Sequence, residues 1–129
     1  MAFYTAPGVF PRNSVPSDGN IGTDFILHRK MATTDSSISV FSANAPFKFR
    51  VIDMWAVNHA AGGAADTVKL TDGTNDITDA LDCNKSDNVV TRVGTLDDAY
   101  WEVAYNGTLT IVTASAAPVD VYIRCVPVS

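Results

Sequence analysis

A chain of 129 residues, 47% hydrophobic and 18% charged, has room for one domain and can bury a core without staples, which excludes a disordered chain or a pair of full domains. Its formal charge of −5 is uneven: residues 1–50 carry five Lys/Arg against three Asp, and residues 51–129 carry four against eleven Asp/Glu. The basic front part predicts contact with an acidic partner or neighbouring subunit, with chance placement of loop Asp residues as the alternative. No dense Lys/Arg cluster interleaves with aromatics, which argues against nucleic-acid binding, and no apolar run approaches about 18 residues, which argues against a membrane span.

Within the hydrophobic class, fifteen Val stand against five Leu, and thirteen Thr accompany them. Branching at Cβ suits a pleated strand and restricts χ1 in a helix. Glu occurs once, at Glu102, against thirteen Asp. Asp favours turns and Glu favours helix surfaces, so this skew also predicts strands joined by turns.

In chain order, residues 1–24 alternate Pro7, Pro11 and Pro16 with Gly8, Gly19 and Gly22, which suits neither a helix nor a central strand. The same stretch carries Phe3, Tyr4, Val9, Phe10 and Arg12. So many apolar anchors predict an extended N-terminal arm that packs on its own domain or on a neighbour. Phe25–Ala32 is the first expected strand, and Ser37–Ser42 the second, with Ile38 and Val40 on one face and Phe41 on the other. Pro46–Asn58 is the longest pattern. Phe47, Phe49 and Val51 share a face, and a parity shift at Val51-Ile52 then groups Ile52 with Met54 and Ala56. Such a shift signals a bulge.

A small-residue loop, His59–Ala65, leads to Asp66–Asp72 with Val68 and Leu70 inward. Asp72-Gly73 is a hairpin signal. Asn75–Cys83 fits one helical turn or a bent strand. Val89–Val93 is a short strand, and Gly94–Ala99 a turn. Tyr100–Tyr105 is a strand with Trp101, Val103 and Tyr105 on one face. Asn106-Gly107 is the strongest hairpin signal. Gly107–Thr113 carries Leu109 and Ile111 inward, and Val119–Val128 alternates Val119, Val121, Ile123 and Cys125. About eight or nine short strands at this spacing predict an all-β fold, a single antiparallel β-sandwich of jelly-roll type over residues 25–129.

No constellation carries chemistry, and the expectation is not an enzyme. His28 and His59 lie in no Ser-His-Asp spacing. Asp97-Asp98 precedes a strand and reads as a turn cap. Asp72, Asn75 and Asp76 lack the length and terminal Glu of a calcium loop. Cys83 and Cys125 have neither CxxC nor His spacing, so no zinc site, cofactor or indicated disulfide follows, and Cys125 reads as a small hydrophobe. Gly62-Gly63 lacks a phosphate-binding pattern. No secretory leader is visible. Trp55, Tyr100, Trp101 and Tyr105 would suit a sugar-stacking platform, a core, or a subunit interface.

The stretch FKFRVIDMWAVNHAAGGAADTVKLTDGTNDITDAL, followed by TLDDAYWEVAYNGTLTIVTASAAPVDVYIRCVPV, resembles small β-sandwich structural proteins of tailed bacteriophages. Within that group it is most similar to capsid decoration (cement, or head auxiliary) proteins. The resemblance covers Pro46–Val128 and rests on the order of elements. It implies a virion protein, assembled in the host cytoplasm, that binds the major capsid protein on the outside of the shell, often as a homotrimer at threefold positions. The contact residues would be Phe3, Tyr4, Val9, Phe10 and Arg12 of the arm. The alternative is a tail, fibre-tip or baseplate module that binds host carbohydrate through Trp55 and Trp101.

Overall fold

The computed structural model describes residues 24–128, so Phe3, Tyr4, Val9, Phe10 and Arg12 lie outside the described residues. Nine strands are present among those described: β1 (Phe25–Lys30), β2 (Ser37–Ser39), β3 (Phe49–Asn58), β4 (Thr67–Thr71), β5 (Leu81–Asp82), β6 (Val90–Arg92), β7 (Glu102–Val103), β8 (Thr110–Ala114) and β9 (Val119–Pro127). No described helix is long and apolar enough to cross a membrane. One sheet, sheet A, has the order β1-β9-β3-β6, with β7 also paired to β3; the other, sheet B, has the order β2-β8-β4-β5. All pairs are antiparallel, so the chain is the β-sandwich its composition predicts.

The pairing is nested. β4 pairs with β5, β3 with β6, β2 with β8, and β1 with β9. Strands distant in sequence therefore meet, and each sheet draws from both halves of the chain. The core lies between the sheets. It takes alternate residues of β9, Val119, Val121, Ile123 and Cys125, all fully buried, against Val68 and Leu70 of β4 and Ile111 of β8. This is the period-2 alternation of a strand with one wet face.

Several sequence expectations change or are resolved. The bulge in β3 exists: register passes from Val51↔Cys125 to Asp53↔Arg124, leaving Ile52 as the extra residue. Ile52 consequently turns to solvent, while Met54 and Ala56 return to the core. Phe47, ahead of the strand, is 41% exposed. Phe41 does not point away from the core; its ring meets Phe49 edge-on at 5.8 Å. Tyr100–Tyr105 shrinks to the two residues of β7, and Tyr105 is 72% exposed in the following turn. Asn75–Cys83 resolves as bridges and β5 rather than a helical turn.

Asn106-Gly107 makes a turn but not a hairpin. Gly107 N–H donates to Ala104 O at 2.9 Å, and Asn106 has φ 66°, the positive value a type II turn needs at its third residue. The strands on either side, β7 and β8, belong to different sheets. The turn thus carries the chain across the sandwich, and local turn chemistry cannot distinguish that from a hairpin.

Candidate functional site

Even-numbered residues of β1 and β9 face outward from sheet A, and the strand order aligns them with outward residues of β3 and β6. Register pairs His28 with Tyr122, Tyr122 with Trp55, and Trp55 with Arg92. These four side chains form one row across four strands. His28 and Tyr122 stack with ring centroids 4.6 Å apart, and Tyr122 and Trp55 stack at 5.6 Å and 8° between planes. The Arg92 guanidinium lies 4.8 Å above the other side of the Trp55 ring. Such contacts contribute about 0.5–1.5 kcal/mol each beyond area burial.

The row has a chemical consequence. Tyr122 is covered by His28 on one face and Trp55 on the other, and Trp55 by Tyr122 and Arg92. Trp101, the other indole, packs against the core edge with the Arg50 guanidinium 5.2 Å over its ring. Sugar stacking requires an uncovered ring face; on Trp55 and Tyr122 both faces already have partners, and on Trp101 the Arg50 guanidinium lies over one.

Ion pairs surround the row. His28 Nε2 meets Asp120 Oδ1 at 3.0 Å, Arg50 meets Glu102 at 3.5 Å, and Lys48 meets Glu102 at 3.8 Å. Arg92 pairs with Asp53, and Arg124 with Asp24. The sheet A side thus gathers five cations (Lys30, Lys48, Arg50, Arg92, Arg124) and four anions (Asp24, Asp53, Glu102, Asp120). Between them Ile26 is 56% and Val90 55% exposed. Of the remaining charges of the described residues, Arg29 belongs to the inner face of β1, and two cations (Lys69, Lys85) against nine carboxylates lie on sheet B and the connecting loops. The sandwich therefore has a nearly neutral side with apolar spots and a strongly acidic side. This separation follows the fold rather than the division at residue 50.

The acidic side includes a shallow groove bordered by Lys69, Asp76, Asp79, Asp97 and Asp98. Asp97 Oδ1 accepts the Ala99 N–H at 2.9 Å, as a turn cap does. Asp72 is similarly engaged at the tip of its hairpin. Burial raises its carboxyl pKa, but N–H donation from Asn75 and Thr74 outweighs that, and the net shift is downward. Among the described residues no group of three or more His, Cys, Asp or Glu is arranged to hold a metal ion.

Cys83 and Cys125 are buried and neither forms a disulfide. Burial, reinforced by Asp82 and Asp66, pushes the Cys83 thiol up to about 11, and burial alone pushes Cys125 to about 12. Both are protonated at neutral pH and therefore poor nucleophiles. His59 Nε2 donates to Met31 O at 3.0 Å, tying the loop after β3 to the end of β1. Gly62 is held by packing: a Cβ there would sit 1.9 Å from Cys83 O.

Sequence reasoning named Trp55 but missed its partners. His28, Tyr122 and Arg92 each occupy an outward position of a strand, an unremarkable pattern until strand order places them side by side. No family model matches the chain, and no curated protein or solved structure matches it.

Proposed function

We propose that the chain is a structural virion protein of a tailed bacteriophage that lies on the outside of the capsid and stabilises contacts between major capsid protein subunits. The observation that carries this reading is the contrast between the two sides of the sandwich. Sheet A offers a broad face whose charges are paired internally except for Lys30 and whose other unpaired features are apolar, Ile26 and Val90 foremost. A face of this composition can be laid on another protein with little desolvation of lone charges. The acidic sheet B side is suited to remain in water.

Nested strand pairing supports a jelly-roll reading of the sandwich, with β7 as an addition to the eight-strand plan. The resemblance of Pro46–Val128 to decoration proteins supports the capsid as partner, with copies as trimers at threefold positions. Many copies on one lattice bind multivalently, so each contact can be weak. The covered faces of Trp55, and the Arg50 guanidinium over one face of the partly buried Trp101, speak against the carbohydrate-binding alternative.

The test is co-sedimentation with purified expanded heads. Ile26→Glu and Val90→Glu alter exposed side chains, so the fold is expected to tolerate them, and each is expected to reduce head occupancy. Unchanged occupancy in both sinks the assignment of sheet A as the docking side. Deleting residues 1–20 tests the arm separately, and full occupancy without them removes the arm from the attachment mechanism.

A further inference from the structure

β1 is an end strand of sheet A, and its two edges differ. Met31 N–H donates to Val119 O at 2.8 Å, so at this parity the main-chain groups of β1 face β9, which assigns those of Phe25, Leu27 and Arg29 to the same side. The N–H and C=O groups of Ile26, His28 and Lys30 point away from it, and among the described residues no strand pairs with them. An edge of this kind is a template for another strand.

One side chain closes it. Arg29 belongs to the inner face of β1, yet its guanidinium reaches out along the flank of the sandwich. Nη1 donates to His28 O at 2.6 Å, and Nη2 donates to the carbonyl of Val40, beside β2. Arg29 therefore occupies the middle outward carbonyl of β1 and spans the open flank between the two sheets. An inward-placed charge on an end strand is a recognised device against unwanted pairing.

We propose that Arg29 is a gate on the β1 edge, and that with Arg29 withdrawn β1 pairs antiparallel with β1 of a second copy about a twofold axis at His28. The outward groups are disposed symmetrically about that residue. Placing His28 opposite His28 of the partner subunit sets Ile26 opposite Lys30 of the partner subunit, with about six main-chain bonds across the seam. Lys30 makes no ion pair among the described residues, and in this register it lies diagonal to Asp24 of the partner subunit. The His28–Tyr122–Trp55–Arg92 row would then run on across the seam into its twofold mate. This twofold pairing is separate from any threefold association on a shell, so the two readings fail independently.

The experiment places a cysteine at the axis. In a His28→Cys background, the two Cα atoms of a hydrogen-bonded antiparallel pair lie about 5.5 Å apart, within the span a disulfide bridges. Adding Arg29→Ala is expected to raise the yield of oxidised dimer by about tenfold, the worth of one or two recovered main-chain bonds. A Tyr105→Cys control on an exposed turn should show no such dependence on Arg29. Equal yields with and without Arg29 in folded protein overturn the proposal. Arg29→Gln, too short to reach both carbonyls, repeats the question if Arg29→Ala loses its cooperative melt. Loss of folding in both variants also overturns it, because Arg29 would then hold the fold together and gate nothing.

Discussion

Asn58 ends β3 with its side chain 1% exposed, and its Nδ2 group donates to Ala60 O at 3.2 Å, Cys83 O at 3.0 Å and Lys85 O at 3.3 Å. These bonds tie the loop after β3 to the segment after β5. The Cys83 and Lys85 carbonyls keep other donors if the amide is removed, Lys85 N at 2.8 Å and Gly62 N at 2.9 Å. Truncation to alanine therefore orphans mainly the Ala60 carbonyl, at about 1–3 kcal/mol, and leaves a small void. Part of that loss is offset, because Asn58 Oδ1 is itself buried without a partner. The expected destabilisation is about 2 kcal/mol, or a fall in Tm of roughly 5–10 °C.

Asn58→Asp sharpens the test. At neutral pH it aims a buried carboxylate at three carbonyl oxygens, which should cost about 3–5 kcal/mol, as for other uncompensated buried charges. The new acid escapes by staying protonated, so its pKa in the native state rises above the unfolded value of about 3.9. The native state then binds more protons than the unfolded one. The variant is therefore closest to wild type below about pH 4 and loses stability as pH rises through the native pKa. Urea titrations followed by tryptophan fluorescence, with wild type as reference at about pH 4 and about pH 7, measure this. An Asn58→Ala variant within about 0.5 kcal/mol of wild type, or an Asn58→Asp deficit that does not grow with pH, refutes the reasoning.

Gly62→Ala should destabilise by at least about 2 kcal/mol because its Cβ meets backbone, whereas Gly94→Ala, with nothing within 4 Å, should be neutral to slightly stabilising in the same melts. Iodoacetamide at about pH 8 should leave Cys83 and Cys125 unmodified in the folded chain and label both in urea; rapid native labelling would contradict their burial. Since both thiol pKa values are raised by folding, stability should hold up to about pH 9 and decline toward about pH 11–12, as the unfolded thiols ionise first. Trp55→Ala should cost about 2 kcal/mol by removing both neighbours' contacts, and a double-mutant cycle with Tyr122→Ala should return a coupling of about 0.5–1.5 kcal/mol. Additive effects would mean that the stacked row contributes no more than burial.

The sandwich was legible where alternation ran long. Val119–Cys125 and Val68–Leu70 declare their inward faces without help from any neighbour. At the bulge the parity shift was visible, but its assignment was not, because whether Ile52 turns in or out depends on the β9 residue opposite it. The short strand β7 was overread for a related reason. Tyr100–Tyr105 has strand composition, yet only Glu102 and Val103 find a partner, on β3. The His28–Tyr122–Trp55–Arg92 row was illegible in principle: it joins residues 28, 55, 92 and 122, and nothing local links them before four strands are placed in order.

Nested pairing gives β9 a distinct place in the life of the chain. β1 and β3 flank β9, so the middle of sheet A is assembled on the last of the nine strands to leave the ribosome. Until those residues emerge, the nascent chain can form the inner pairs β4–β5 and β3–β6 but must hold β1, and one side of β3, unpaired. Such long-range closure is slow and leaves unsatisfied strands in the meantime. A stop codon or protease cut before Val119 would therefore do more than trim an end: it would strand β1 entirely and open the sheet through its centre.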